Sequence, residues 1–313
     1  MPGLRAVFWK ELSDHMGSRR FLILFAIIGL AGLWATYVAA QSIRGELAQS
    51  PESRFVFLQV FTASSGLLPP FTSFVGFFGP LIGLALGFDA INREMAEGTM
   101  SRVLSQPLYR DSVINGKFLA GVTTIAVMLL SLILIVSGLG LQLIGVPPIQ
   151  EEILRLLLFV FISVIYIAFW LGLAILFSIV FRRTATSALA TIGLWVFFSF
   201  FMFMISAAIA DAAIPITEGT SPEVALSNIN LKQGIMRISP TTLYDEAVST
   251  IVSPSVRSLG PVLRQQVQGL IPTPLPLSQS LNLVWPQLTT IIALTLVIFA
   301  IAYIRFMRQE IRA

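Results

Sequence analysis

The sequence predicts an all-α integral membrane protein with six transmembrane helices, and three observations support this fold class. Of its 313 residues, 56% are hydrophobic and only 12% are charged, whereas a soluble domain carries about 25% charged residues. Six apolar runs are each long enough to cross the hydrocarbon core of a bilayer as a helix. Most of the charged residues collect in the stretches between those runs.

The six predicted spans cover residues 21–40, 71–88, 118–144, 156–181, 184–210 and 288–304. The first run is longer than the about 7–15 apolar residues of a secretory signal peptide, which favours an uncleaved span. Residues 41–70 are predicted to form a mixed loop. Residues 211–287 form the longest non-spanning segment, and Pro222 to Met236 and Pro240 to Val252 are its predicted helices. We expect residues 1–313 to fold as a single transmembrane domain.

The N-terminal segment from Leu4 to Met16 is predicted to be an amphipathic helix. Its apolar stripe consists of Leu4, Val7, Phe8 and Leu12, and its polar face consists of Arg5, Lys10, Glu11 and Asp14. Trp9 suits the headgroup boundary of a membrane. This pattern favours a helix that lies in the membrane interface, the alternative being a simple flank of the first span.

The distribution of lysine and arginine predicts the orientation of the chain. Six spans place both termini on the same side, and that side holds thirteen of the 20 lysine and arginine residues. The other seven are spread over much longer loops. Because short cytoplasmic loops carry the excess of positive charge, both termini are predicted to be cytoplasmic, and residues 211–287 are predicted to form an extracytoplasmic insertion.

The stretch from Asn92 to Lys117 joins the second and third spans and is predicted to be cytoplasmic. Gly98 can end one helix and Thr99 can cap the next. Pro107 ends that second helix, because its ring cannot follow a helical turn. Between these limits, three apolar side chains share one face at helical spacing: Met100, Val103 and Leu104. The stretch therefore predicts a short amphipathic helix across the mouth of a membrane hairpin.

Three glycines in the second span recur every four residues: Gly79, Gly83 and Gly87. Small residues at this spacing let a neighbouring helix approach closely, so they predict a helix-packing face. The alternative is that they accompany a bend at Pro80.

Several functional classes are disfavoured by residues that the sequence lacks. No predicted span contains Asp, Glu, Lys, Arg or His, and ion-coupled carriers usually keep an ionisable residue at membrane depth. A phosphate-binding loop is absent, because Gly116-Lys117 is followed by Phe118 rather than Ser or Thr. With no cysteine and only His15, we expect no catalytic residue and no metal site. The net charge of +4 does not argue for nucleic acid, because most of the cations belong to one side of the membrane.

One motif in the cytoplasmic stretch resembles a known family. The residues Asn92-Arg93-Glu94-Met95-Ala96-Glu97-Gly98-Thr99, followed by Leu104, Pro107, Arg110 and Gly116-Lys117, resemble the ABC type-2 transporter permease family. Ile238-Ser239-Pro240-Thr241-Thr242-Leu243-Tyr244 is similar to the branch that includes multicopper-enzyme maturation permeases. The sequence departs from the family pattern in two respects. Met95 and Ala96 interrupt the run of acidic residues that is usual in the family. The extracytoplasmic segment, residues 211–287, is longer than is common in the family.

This resemblance implies the membrane subunit of an ATP-binding-cassette exporter in the cytoplasmic (inner) membrane of the cell. Two copies, or one copy with a related permease, would pair with two separate ATPase subunits, which would bind the ATP and Mg. Part of the segment between the fifth and sixth spans would re-enter the outer half of the membrane. The residues expected to couple to the ATPase are Glu94, Glu97, Gly98, Thr99, Met100, Arg102, Val103, Leu104, Pro107, Arg110 and Lys117.

Two other classes of function remain open at the level of sequence. A non-transporting membrane anchor or sensor would use the extracytoplasmic segment to bind a ligand. A passive channel would need polar stripes along its spans, which the sequence does not show. An ATPase that purifies with the chain would favour the exporter over both alternatives.

The predicted orientation can be tested by labelling single cysteines, since the native chain has none. Ser221→Cys should react with a membrane-impermeant thiol reagent added outside the cell. Ser101→Cys should react only after the membrane has been opened, because residue 101 lies in the cytoplasmic stretch. The opposite labelling pattern would overturn the orientation.

Overall fold

The computed structural model describes residues 2–49, 55–64, 69–98, 109–217, 220–256, 259 and 274–309. Within these residues all the regular structure is helical, which confirms the all-α fold class. The helices are α1 (Pro2–Met16), α2 (Arg19–Gln49), α3 (Val56–Thr62), α4 (Phe71–Gly87), α5 (Asn92–Ala96), α6 (Arg110–Ile144), α7 (Gln150–Val180), α8 (Thr184–Val196), α9 (Met202–Ala213), α10 (Pro222–Met236), α11 (Pro240–Val252) and α12 (Leu277–Arg308). A π-helical turn, Phe197–Phe201, joins α8 to α9.

Within the described residues, six helical segments are long and apolar enough to cross a membrane: α2, the stretch Phe71–Ala96 that contains α4 and α5, α6, α7, the continuous α8–α9 and α12. Several of these helices are longer than the predicted spans. For example, α6 begins at Arg110 and α12 begins at Leu277. The apolar pattern marks only the part of a helix that lies in hydrocarbon, whereas the helix itself continues into polar surroundings. The helices α10 and α11 occupy the two stretches predicted to be helical.

The prediction of a mixed loop over residues 41–70 was wrong in two places. The helix α2 continues to Gln49, and the short helix α3 follows it. The carboxylate of Glu152 stabilises the start of α3, because it accepts hydrogen bonds from the amides of Phe57 (2.9 Å) and Leu58 (3.2 Å). Glu152 lies 94 or more residues after these two amides in the chain, so no local sequence pattern could have revealed this cap.

The centre of the bundle is α7, which packs against α4, α6, α8, α11 and α12. About three quarters (72%) of its most apolar stretch is buried, compared with 17% for α8–α9 and 22% for α12. The side chains of Trp170, Tyr166 and Phe159 are fully buried along it. The helix α7 is therefore the core element, and α8–α9 lies at the periphery.

A buried arginine on α7 holds α11 and the approach to α12 in place. Arg155 is 0% exposed, and its guanidinium donates to the carbonyls of Ile251 (2.7 Å) and Leu275 (2.6 Å) and to the hydroxyl of Ser280 (3.3 Å). It also pairs with Glu151 at 2.8 Å. A buried charge is tolerated only when its donors are satisfied, so these partners have to stay together.

The glycine face of α4 lies directly against α7. A Cβ atom on Gly83 would lie 2.6 Å from the carbonyl oxygen of Ile167 and 2.8 Å from the amide nitrogen of Leu171. A Cβ on Gly87 would lie 2.9 Å from the carbonyl oxygen of Leu171, and one on Gly79 would meet the Ile167 side chain at 2.9 Å. Backbone atoms cannot move aside as a side chain can, so Gly83 and Gly87 mark where the two helices approach most closely.

This contact predicts opposite effects for two alanine substitutions. Gly83→Ala should destabilise the protein by about 1–3 kcal/mol, because the new methyl group meets the backbone of α7. Gly138→Ala is the matched control, because a Cβ there has nothing within 4 Å. It should be neutral or slightly stabilising, since alanine favours a helix over glycine. Thermal unfolding of the detergent-purified variants measures both effects, and equal stability of the two would contradict the close contact.

Candidate functional site

The helix α1 packs along the first turns of α6. A Cβ on Gly116 would lie 2.7 Å from a methyl carbon of Val7, so the two backbones are close there. Val7 and Glu11 are both buried (8% exposed each), whereas Trp9 is 57% exposed. The prediction that Glu11 belongs to the polar stripe of α1, with Arg5, Lys10 and Asp14, was therefore wrong. The spacing Leu4, Val7, Glu11 is that of one helix face and could have revealed it.

A buried lysine on α6 explains why Glu11 faces inward. The ammonium group of Lys117 lies 2.9 Å from the carboxylate of Glu11 and 2.8 Å from the carboxylate of Glu94 on α5. The side chain of Lys117 is only 5% exposed. Lys10 also pairs with Glu11, at 2.9 Å, but its own side chain is 58% exposed. We call Lys10, Glu11, Glu94 and Lys117 the charge cluster, and it joins α1, α5 and α6.

The oppositely charged groups in this cluster stabilise one another's ionised forms. Burial disfavours the ionised form of Glu11, but the neighbouring Lys117 and Lys10 outweigh it and lower its pKa below the ordinary value. For Lys10, desolvation is likewise outweighed by its acidic neighbours, Glu11 first, so the pKa is raised. A lowered acid pKa stabilises the folded state near neutral pH. That contribution is lost as the pH falls through the pKa of the folded state.

A cavity of about 700 Å³ opens beside the charge cluster, between α1 and the end of α4. Its wall carries charges of both signs outside the cluster itself, with Asp14, Arg19, Arg20, Asp89, Arg93 and Glu97 among the lining residues. Arg20 and Asp89 form an ion pair across it at 2.7 Å, which links the start of α2 to the chain leaving α4. The cavity is thus a polar recess built from several elements.

The helix α5 starts on a hydroxyl of α7. Ser178 accepts hydrogen bonds from the amides of Ile91 (2.9 Å), which precedes α5, and Asn92 (3.1 Å), the first residue of α5. The buried side-chain amide of Asn92 donates to the carbonyls of Phe88 and Phe181. Local sequence does not reveal that Ser178 and Asn92 meet, because 86 residues separate them along the chain.

The end of α5 presents the remaining predicted coupling residues that the structure describes. Glu97 is about half exposed (53%) and pairs with Arg93 at 3.0 Å. Gly98 follows in the left-handed region, with φ at 67°, which glycine adopts without strain. Thr99, Met100, Arg102, Val103, Leu104 and Pro107 lie outside the described residues, as does the short helix predicted for them.

The chain is described again from Tyr109, which is 82% exposed. Arg110 then begins α6 and donates to the carbonyl of Gln309 at 3.1 Å, which ties α6 to the end of α12. The structure thus brings Glu94 and Lys117 into contact, while Arg110 makes a separate contact with the C-terminal segment.

Comparison with known proteins identifies the class. Residues 5–311 match the model of a family described as ABC-2 family transporter protein. The chain therefore belongs to the ABC-2 transporter family, and it is a multi-pass transporter permease with six apolar helices. This confirms the resemblance carried by the motif around Asn92 to Thr99.

Two curated relatives have the same description, Probable ABC transporter permease protein NosY. The protein from Pseudomonas aeruginosa is 29% identical over 203 residues, which cover 63% of this chain and 67% of that protein. The protein from Stutzerimonas stutzeri is 32% identical over 112 residues, which cover 35% of each chain.

The charge cluster predicts a strong effect from removing its central cation. Lys117→Met should destabilise the protein by about 3–5 kcal/mol, because it leaves Glu11 and Glu94 without their buried partner. The triple variant Lys117→Met, Glu11→Gln, Glu94→Gln should recover most of that loss, since it removes all three charges. Lys10→Met is the control and should change stability little, because its side chain is largely exposed. Thermal unfolding of the four proteins tests this ranking.

Proposed function

We propose that this chain is the transmembrane subunit of an ATP-binding-cassette exporter. In this proposal it forms the substrate pathway as a single domain over residues 1–313, and two copies assemble with two separate ATPase subunits. The ATP and Mg belong to those subunits, because the sequence carries no phosphate-binding loop. The observation that carries the proposal is the charge cluster, which connects the motif on α5 to the helices α1 and α6.

The geometry favours the stretch after α5 as the contact for the ATPase. The helix α5 starts on Ser178 of the central helix α7, and Glu94 holds it to α6 through Lys117. A force applied to residues beyond Gly98 would therefore reach α1, α6 and α7 together. We propose that Glu97 and Arg102 orient the ATPase and that Met100, Val103 and Leu104 supply the apolar contact.

We further propose a cytoplasmic (inner) membrane location with both termini in the cytoplasm. The support is the thirteen-to-seven division of lysine and arginine, which follows the rule that cytoplasmic loops are positive. In this orientation α1, α5 and the charge cluster face the cytoplasm, where an ATPase would find its nucleotide. The loops that flank α3, α10 and α11 then face outward.

Glu97→Lys tests the coupling role directly. The side chain is about half exposed and pairs with Arg93 on the surface of α5. The change should therefore leave folding and membrane insertion intact but reduce the amount of ATPase that purifies with the chain, or abolish substrate-stimulated ATP hydrolysis. The control is Glu223→Lys, which makes the same change of charge at an exposed residue of α10.

A charge swap separates partner recognition from the local ion pair. The double variant Arg93→Glu, Glu97→Arg exchanges the two charges, so the ion pair on α5 is kept while the charge at each position is reversed. If the pair serves only to stabilise the helix, the swapped protein should bind the ATPase as wild type does. If Glu97 contacts the partner, the swapped protein should remain defective. Normal partner binding and turnover in Glu97→Lys would remove this residue from the mechanism.

A further inference from the structure

The helix α11 brings polar groups against the middle of α7, although it lies outside the six membrane-crossing segments. The ring of Tyr244 stacks on the ring of Tyr166 with centroids 4.2 Å apart, and its hydroxyl lies 2.9 Å from that of Ser163. The hydroxyl of Tyr166 donates to the carbonyl of Gly76 on α4 at 3.1 Å. Since Tyr166 lies near the midpoint of α7, these contacts place α11 at the depth of the bundle's interior.

The residue after Tyr244 places a carboxylate at this depth. A Cβ on Gly76 would lie 3.2 Å from an Oδ atom of Asp245, so the carboxylate lies against the backbone of α4. Asp245 is exposed, and in the part of the chain that the structure describes it makes neither a hydrogen bond nor an ion pair. Its neighbour Glu246, by contrast, pairs with Arg237 and accepts from Gln287.

An aromatic cluster borders the same part of α4. Phe77, the residue after Gly76, makes ring contacts with Trp195 at 5.1 Å and with Phe200 at 6.1 Å. Phe77 and Phe200 are 40% and 52% exposed, so parts of both rings stay uncovered. The indole nitrogen of Trp195 is buried and has no hydrogen-bond partner among the described residues. The start of α11 is held next to this cluster by the hydrogen bond from Ser239 to the carbonyl of Phe198.

A carboxylate at this depth has to face water or a cation, because exposing it to lipid costs several kcal/mol. Aromatic faces attract cations through their ring quadrupole and also bind apolar groups. We propose that Asp245, Phe77, Trp195 and Phe200 form a binding site for a lipophilic organic cation. The claim that such a cation is transported rests on the proposed function. The claim that it binds at this site does not.

The surroundings of Asp245 also predict how binding depends on pH. The side chain of Asp245 is exposed as a whole, but the protein packed around its carboxyl desolvates that group and raises its pKa to about 6. The facing ionisable groups are Tyr166 on α7 and, on α11 itself, Tyr244 and the paired Glu246. Neither α3, α4 nor the π-helical turn carries an ionisable side chain, and α12 has none before Tyr303. A cation should therefore bind well above pH 6 and lose affinity as the pH falls through about 6.

The full chain in lipid nanodiscs can be tested with two probes of nearly the same size and shape. Tetraphenylphosphonium is a lipophilic cation, and tetraphenylborate is its anionic counterpart. Binding is measured as the excess over empty nanodiscs of the same lipid. The site should bind the cation in preference to the anion, and Asp245→Asn should weaken cation binding by at least about tenfold. Glu223→Gln, which neutralises an exposed acid on α10, should leave it unchanged.

Two further measurements keep the inference falsifiable if Asp245→Asn does not fold. Phe77→Leu should weaken cation binding severalfold through loss of the ring face, and wild-type affinity should fall as the pH is lowered through about 6. Equal binding of the two probes, or no excess over empty nanodiscs, would overturn the site. Neither result depends on an ATPase, so failure here and failure of the Glu97 experiment are distinguishable.

Discussion

The close approach of α4 and α7 is the contact on which both ends of the molecule depend. A side chain cannot be added at Gly83 or Gly87, because the backbone of α7 occupies that space. This fixes the position of α4 along α7, so that Gly76 meets Tyr166 at one level and Asn92 meets Ser178 at another. Lipid tails are as apolar as the helices, so specific packing in a bilayer depends on such close contacts and on interhelical hydrogen bonds.

Buried cations select the arrangement of the remaining helices. Lys117 at one end and Arg155 at the other are each almost fully buried, and each contacts at least two further segments. An isolated buried charge costs several kcal/mol, so a structure that separates either cation from its partners is strongly disfavoured. These contacts therefore specify which helices meet, even where their net contribution to stability is small.

The six spans and the family motif could be predicted from sequence, because the length of an apolar run and a short motif are local properties. The spacing of Leu4, Val7 and Glu11 could indicate that Glu11 faces inward, but it could not identify the partner, because Lys117 lies 106 residues further along the chain. Asp245 was missed as a deep carboxylate because it belongs to no apolar run, and only the packing of α11 on α7 brings it inward. The helix α3 was missed for a similar reason, because its cap is a distant glutamate.

Some helices of the bundle are held together by backbone contacts and a buried charge, and others by aromatic rings. This difference indicates where the bundle can rearrange at the smallest cost in free energy. The unit of α4, α7 and α11 is held by backbone proximity and by the buried Arg155, which leave little room for sliding. The segment α8–α9 meets α4 mainly through the rings of Phe77, Trp195 and Phe200. Aromatic pairs contribute about 0.5–1.5 kcal/mol each beyond their buried area and tolerate several geometries. The boundary between α4 and α8–α9 is therefore where the bundle can rearrange at the smallest cost, whereas α4 and α7 are expected to stay together.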